Sequence, residues 1–357
     1  MKSPYVYFGG KSKVAPEVWR RLGQCDTYIE PFFGSGAVLL ENPHWEKTVE
    51  TVNDLNHYIA NFWRALKAAP DQVAEHCDYP VVETDLHARH AWLVNEGRAI
   101  IERCASDPDF YDAKVAGWWV WGMALWIGRG WCAGNGGWTA EHLAAAEELQ
   151  TFDLHEINRQ RPHLRDSGQG VNRQLPHLGD SGQGVNRQRP HLRSGKGINR
   201  KNGQLYEYLN QLARRMRNVR VCCGDWLRVL QPAVTWAGEE GTQQQTCGIF
   251  LDPPYSSEAG RDMNIYTHDD GDVAHAVREW CIANESNALM RIGLCGYAGE
   301  GHDELAARGW SKFSWKSDGG YASASANETR GKVNRHRETI WFSPHCLKET
   351  QSKFELT

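Results

Sequence analysis

Asp252-Pro253-Pro254-Tyr255 stands directly after the apolar run GIFL at 248–251. An amino group on an aromatic ring is a poor nucleophile, because its lone pair is delocalised into the ring. The Asp252 carboxylate and a backbone carbonyl held by the two prolines are both acceptors. Together they can take the two amino hydrogens, bias the nitrogen toward tetrahedral geometry and aim its lone pair at an electrophile. The prolines fix the backbone and offer no competing N–H. Tyr255 supplies a ring on which a base taken out of a duplex can stack.

A second chemical signal is EPFFGSG at 30–36, where glycines let a ligand approach the backbone closely. It is not G-x-G-x-x-G and no Walker lysine follows, so the pattern does not ask for a pyrophosphate. Twenty residues beyond Gly34 lies Asp54, the distance at which an acid can bind ribose hydroxyls. Alone, a glycine turn plus an acid is weak evidence for any nucleoside cofactor. A third signal is YFGGKSK near the start, with Lys11 after two glycines. Such a cluster is usually a solvated turn, but beside the others it can bring a cation to a cofactor carboxylate or to a base.

These groups need elements that position them. Residues 27–30 read as a short strand running into the glycine turn, and AVLLEN after that turn reads as the start of a helix. A second strand is predicted at 47–52, followed by a helix at 55–68 with apolar residues at helical spacing. Residues 69–111 read as helical, 113–125 is apolar and rich in tryptophan, and glycines then break the pattern in GRGWCAGNGGW at 128–138. The α/β alternation resumes with a helix at 205–216 and strands at 219–223 and 248–251. It continues with a helix at 273–283 and strands at 288–295 and 338–342. Strand–turn–helix order of this kind predicts a doubly wound sheet interrupted by one large insert.

The chain of 357 residues, 41% hydrophobic and 24% charged, is long enough for a sizeable core. No run of eighteen apolar residues occurs and the start lacks an apolar signal core, which argues against a transmembrane segment or a secretory signal. Ten cysteines without C-x-x-C spacing read as free thiols in a cytoplasmic protein. The net charge of −4 hides an uneven distribution, because residues 158–200 hold nine Arg or Lys against two Asp. That stretch is a repeat of about fourteen residues, beginning at Asn158, Asn172 and Asn186, with too little apolar material for a core. It reads either as a low-complexity insertion or as a basic arm for DNA phosphates and base edges. Sixteen tryptophans, six of them between Trp118 and Trp138, read mostly as core.

In order, FGGK, EPFFGSG, NDLN, a long insert, GDW and DPPY resemble the Dam-type class of adenine-specific DNA methyltransferases, over about 1–66 and 219–344. The resemblance implies an α/β, Rossmann-like sheet that uses S-adenosylmethionine, with an inserted, mainly helical and loop target-recognition domain. The catalytic core is expected at 1–66 and 219–346, the insert at 67–218 with its repeats at 158–200, and a tail at 347–357. By motif, Phe8, Gly9 and Lys11 are expected to border the cofactor and the target pocket. Glu30, Pro31, Phe33, Gly34 and Gly36 are expected around S-adenosylmethionine, with Asp54 on its ribose and Asp225 and Trp226 at its adenine. Asp252, Pro253, Pro254 and Tyr255 are expected to hold the target adenine. The partner is double-stranded DNA with the base flipped out, contacted by Arg129, Asn135, Arg159, Arg173 and Arg187, and no metal is required. The tryptophan-rich stretch at 128–138 and the repeats depart from the family pattern, so no target sequence is implied. Variable middles between α/β ends are common in phage and prophage methylases, and restriction–modification is the expected setting.

Three other readings stay open at this point. Amino-methylation of cytosine uses a similar pocket, although Asp rather than Ser at the first motif position favours adenine. A non-catalytic DNA-binding protein working through the repeats is a second, and a nonspecific packaging protein a third. Methylation of a cytosine ring carbon is disfavoured because no Cys follows a Pro.

Overall fold

A computed structural model of the chain describes residues 1–5, 7, 10–107, 109–126, 131–132, 204–235, 245–254, 273–297, 301–315 and 338–348. Seven strands form one sheet: β1 (Thr27–Glu30), β2 (Val49–Asp54), β3 (Arg220–Cys223), β4 (Cys247–Leu251), β5 (Met290–Tyr297), β6 (Ser311–Ser314) and β7 (Glu338–Phe342). Their order is β3-β2-β1-β4-β5-β7-β6. The first five strands in that order run parallel, while β7 lies antiparallel to both β5 and β6. This mostly parallel sheet is the Rossmann-like methyltransferase arrangement expected above.

Both faces of the sheet are covered, and strand alternation assigns side chains to them. Tyr28, Phe250, Ile340 and Phe342 point into one core, which extends through the helices of the first half of the chain. Ile29, Ile249, Leu251 and Trp341 point into the other, with Val277, Cys281, Leu305 and Trp310. Every residue of β4 is buried, as its unbroken apolar sequence requires.

Helices α1 (Ala15–Leu22), α2 (His57–Ala68), α3 (Pro70–Cys77), α4 (Glu83–Trp92), α5 (Arg98–Ile101) and α6 (Ala113–Leu125) precede α7 (Gln204–Met216). Beyond them come α8 (Pro232–Thr235), α9 (Val273–Asn284) and α10 (Glu304–Ala307). Asn56 caps α2 by accepting the Tyr58 N–H at 2.9 Å, and Asp112 caps α6 through the Val115 N–H at 2.8 Å. Gly117 lets α6 lie against α3, since a Cβ there would sit 2.3 Å from the His76 side chain. No helix among the described residues is long and apolar enough to cross a membrane.

One expectation fails: AVLLEN does not open an α-helix. Only a 3-10 turn forms at Leu39–Glu41, and Asn42 then leaves the helical region at ψ 114. Asn42 precedes Pro43, and the proline ring excludes the helical conformation from the residue before it. Asn42 is used instead as a bracket, donating to Glu50 Oε1 at 2.9 Å and accepting the His44 N–H at 2.8 Å.

Helix α7 packs on α2 and α3 and is tied to β2 by a buried ion pair. The Arg215 guanidinium meets both Glu50 carboxylate oxygens at 2.6 and 2.7 Å and donates to the Leu39 carbonyl at 2.8 Å. The chain emerging from the repeats is thereby clamped to the sheet.

Candidate active site at the sheet switch point

The chain leaves β1 toward β2 on one side of the sheet and leaves β4 toward β5 on the other. Because β1 and β4 are neighbours, a crevice opens between their carboxyl ends, the usual ligand position in open α/β sheets. Glu30 ends β1 and leads into the glycine turn, and Asp252 follows β4 directly. The two sharpest sequence signals thus flank one crevice.

Gly34 and Gly36 adopt left-handed φ values of 51° and 69°. A Cβ at Gly34 would lie 2.9 Å from the Tyr7 ring, and one at Gly36 would lie 2.8 Å from the Phe33 ring. Only glycine fits that conformation and that space. Rings and side chains lock the turn from outside. Tyr5 Oη and Trp63 Nε1 both donate to the Gly34 carbonyl, at 2.7 and 3.3 Å.

The NDLN segment fastens three strand ends together. Asn53 donates to the Pro31 carbonyl at 3.1 Å and to the Gly224 carbonyl at 2.9 Å, bridging the turns after β1 and β3. Asp54 accepts the Gly34 N–H at Oδ2 and the Asn56 N–H at Oδ1, both at 2.9 Å. The twenty-residue spacing therefore corresponds to a direct bond. Burial pushes the Asp54 carboxyl up to about 6, against the opposing pull of the Gly34 and Asn56 N–H groups. Asn53 and Asn56 were missed as working residues, although NDLN itself was read. Their partners are backbone groups that no sequence pattern announces.

Lys11 immediately precedes the turn into α1, and its carbonyl accepts the Val14 and Ala15 N–H groups. Its ammonium lies 2.7 Å from Asp252 Oδ2, with the lysine side chain only 4% exposed. Burial alone would lower the Lys11 pKa. The Asp252 carboxylate, aided by Cys295 and Glu338, reverses that and holds it raised. Glu30 is also buried, accepts the Tyr28 hydroxyl at 3.0 Å, and is held well above the usual carboxylate range chiefly by burial. Pro253 is buried and Pro254 half-buried beside Asp252.

The remaining expected residues divide between the crevice rim and the region outside the description. Trp226 is buried and stacks on Phe32, centroids 6.1 Å apart, at the ends of β3 and β1. Asp225 is exposed and accepts the Leu227 N–H at 2.9 Å, capping the 3-10 turn that carries Trp226. Phe8, Gly9, Tyr255, Arg129, Asn135, Arg159, Arg173 and Arg187 lie outside the described residues, as do the repeats at 158–200.

The residues present fit a nucleoside cofactor. A carboxylate at the end of β2 can accept ribose hydroxyls, the glycine turn lies beside it, and the Phe32–Trp226 pair offers aromatic surface at the neighbouring strand ends. No curated protein matches the chain. Residues 7–91, which carry Lys11, the glycine turn and Asp54, match the family model of the D12 class N6 adenine-specific DNA methyltransferases, whose members methylate adenine in DNA with S-adenosylmethionine.

Proposed function

We propose that the pocket between the glycine turn and Asp252 receives an adenine flipped out of double-stranded DNA and presents its N6 nitrogen to the methyl donor. The observation that carries this reading is the Lys11–Asp252 ion pair at the switch point, which joins the N-terminal motif to DPPY. Lys11 holds Oδ2 and supplies a counter-charge for a carboxylate in a partly dry site. Asp252 and the carbonyl fixed by the two prolines then accept the amino hydrogens, so the nitrogen lone pair turns out of the ring plane. Tyr255 stacks on the base.

S-adenosylmethionine supplies an electrophilic methyl group on its sulfonium. The chain supplies position and charge. Asp54 accepts the ribose hydroxyls, with Glu30, Pro31, Phe33, Gly34 and Gly36 shaping the turn and Asp225 and Trp226 bordering the adenine ring. Phe8 and Gly9 close the pocket beside Lys11. Asp252 need not remove a proton first: the amine would attack while neutral, the new N–C bond would replace the S–C bond of the donor, and the extra proton would then pass to the Asp252 carboxylate and on to solvent.

DNA recognition is assigned to 67–218, with the core at 1–66 and 219–346. Arg129 and Asn135 serve the target site, while Arg159, Arg173 and Arg187 of the repeats contact phosphates. The enzyme works where DNA and reduced thiols coexist, in the cytoplasm of a bacterial cell; all ten cysteines are free.

Incubation with unmethylated DNA and labelled S-adenosylmethionine, followed by digestion to nucleosides, tests the site. Label is expected in N6-methyladenine and is expected to fall about a hundred- to a thousandfold in Asp252→Ala, the scale of losing one preorganised hydrogen-bonding group from the transition state. Cofactor affinity should persist in that variant. Full activity in Asp252→Ala would remove Asp252 from the chemistry. Deleting 158–200 should weaken DNA affinity and flatten its salt dependence while leaving cofactor affinity intact; unchanged DNA binding sinks the arm.

A further inference from the structure

Strand alternation puts a row of polar side chains on one face of the sheet at its carboxyl edge. Tyr28, Phe250, Cys295 and Ile340 belong to the same core. Two residues further toward that edge on each chain segment stand Glu30, Asp252, Tyr297 and Glu338. Strand β7 runs antiparallel to β5, so its first residue, Glu338, pairs with Tyr297, the last residue of β5. Because β5 lies between β4 and β7, Asp252 and Glu338 stand on either side of it. Cys295, fully buried, lies on β5 between them.

Lys11 reaches this face from the turn into α1, whose Val14, Ala15 and Val18 belong to the same core. Its ammonium lies 2.7 Å from Asp252 Oδ2 and the side chain is 4% exposed. Against the cost of burial, Asp252 contributes most to keeping it charged, and Cys295 and Glu338 add to this. The Cys295 thiol senses the same groups. It is raised by burial, then by Asp252, is opposed by Lys11, and is raised further by Glu338 and Glu30. One ammonium therefore stands in the field of two carboxylates carried by different strands. Glu30, whose protonated form is favoured by burial, adds less negative charge.

This arrangement bears on the methyl transfer. As the N–C bond forms and the S–C bond breaks, positive charge moves from sulfur to the amino nitrogen. A negative field at that nitrogen stabilises the transition state. Lys11 alone would cancel the charge of Asp252, whereas a second carboxylate beside Lys11 restores one net negative charge.

We propose that Glu338 is a positioning residue for catalysis: by sharing the Lys11 ammonium with Asp252, it keeps that lysine in place and leaves the acceptor carboxylate its negative field. This rests on the reading that Asp252 accepts the amino hydrogens of the target base. Glu338 touches neither the base nor the cofactor, so its signature is a loss of rate without a loss of binding.

Glu338→Gln removes the charge and keeps the shape. In the full-length protein, with unmethylated DNA and labelled S-adenosylmethionine, its single-turnover methylation rate should fall about tenfold, the scale of one charge acting through a partly buried site. Affinities for DNA and for S-adenosylmethionine should stay within about twofold, and Glu338→Asp should recover most of the rate. In a Lys11→Met background, Glu338→Gln should cost nothing further or should raise the rate, because two carboxylates then repel each other without a shared cation. If Lys11→Met does not fold, the separation of rate from affinity and the rescue by Glu338→Asp carry the test. A folded Glu338→Gln protein with an unchanged rate overturns the proposal, as does an equal loss of rate and affinity, or the same tenfold loss without Lys11. Asp252→Ala separates the two levels. If that variant keeps full activity, the reading of the site fails and takes the proposal with it. If it loses activity while Glu338→Gln does not, only the role of Glu338 fails.

Discussion

At the carboxyl ends of β1, β2 and β3, polar side chains are held by backbone groups: Asp54 by the Gly34 and Asn56 amides, Asn53 by the Pro31 and Gly224 carbonyls. In the helical stretch from α3 to α6, cations are held by rings. The Arg89 guanidinium lies 3.9 Å from the Tyr79 centroid, 4.4 Å from Trp121 and 5.2 Å from Trp118, and Lys114 lies over Trp92 and Trp118. Backbone partners come with strand register and glycine geometry, so they specify position to a few tenths of an ångström. Ring faces attract a cation over a broad area and tolerate sliding. That difference fits the proposed assignment, in which the sheet region takes a cofactor of fixed shape and the helical region adjusts to a long polyanion. The tryptophans that made the helical half look unusual serve both purposes: Trp119 and Trp121 are buried, while Trp92, Trp118 and Trp126 are half-buried.

The largest test of this contrast is at the clamp between the two regions. Arg215→Met leaves Glu50 buried without its counter-ion and should cost about 3–5 kcal/mol of stability, read from denaturant melts. A loss below about 1 kcal/mol would mean that α7 is held to the sheet by apolar packing and not by the pair. Next, Arg89→Met removes the cation from three rings while keeping an apolar stem. A loss of about 2 kcal/mol is expected for a desolvated cation–π group. One guanidinium nitrogen, Nη1, is buried without a hydrogen-bond partner, which works against the arginine. A stabilised Arg89→Met protein would therefore show that the rings need no cation, and the contrast would fail on the helical side.

The smallest effect is a pH dependence on the sheet side. In the proposed site Asp54 accepts ribose hydroxyls as a carboxylate, and its carboxyl sits at about 6 rather than 3.8. Cofactor affinity should therefore fall as pH drops through that value, about tenfold per unit below it. For the fold the sign is opposite. Between 3.8 and about 6 the native state retains a proton that the unfolded chain releases, so this group's contribution to stability rises as pH falls through that window. Calorimetric titration with S-adenosylmethionine between pH 5 and 8 checks the first, and a flat profile would detach Asp54 from the ribose.

Much of the sheet was legible in the residues. The strands at 27–30 and 338–342 have the predicted limits, because each is a short run of β-branched and aromatic residues. The helix after the glycine turn was misread because the apolar run AVLL outweighed Pro43, three residues beyond it. Helix α1 and β6 were not anticipated. Strand β6 is a short edge with three exposed residues, so it carries little apolar alternation to read.

For the site, residue types and local spacing were enough to suggest a chemistry: two acceptors after a strand, glycines after another, an acid twenty residues on. Those are short-range patterns, and a strand end followed by a turn dictates them locally. Tertiary structure alone decided that Lys11 reaches Asp252, that Arg215 closes on Glu50, and that His90 receives the Cys132 N–H. Each of these pairs joins residues distant in the chain, and each forms only because the order of strands and the packing of helices brings them within a hydrogen bond's length.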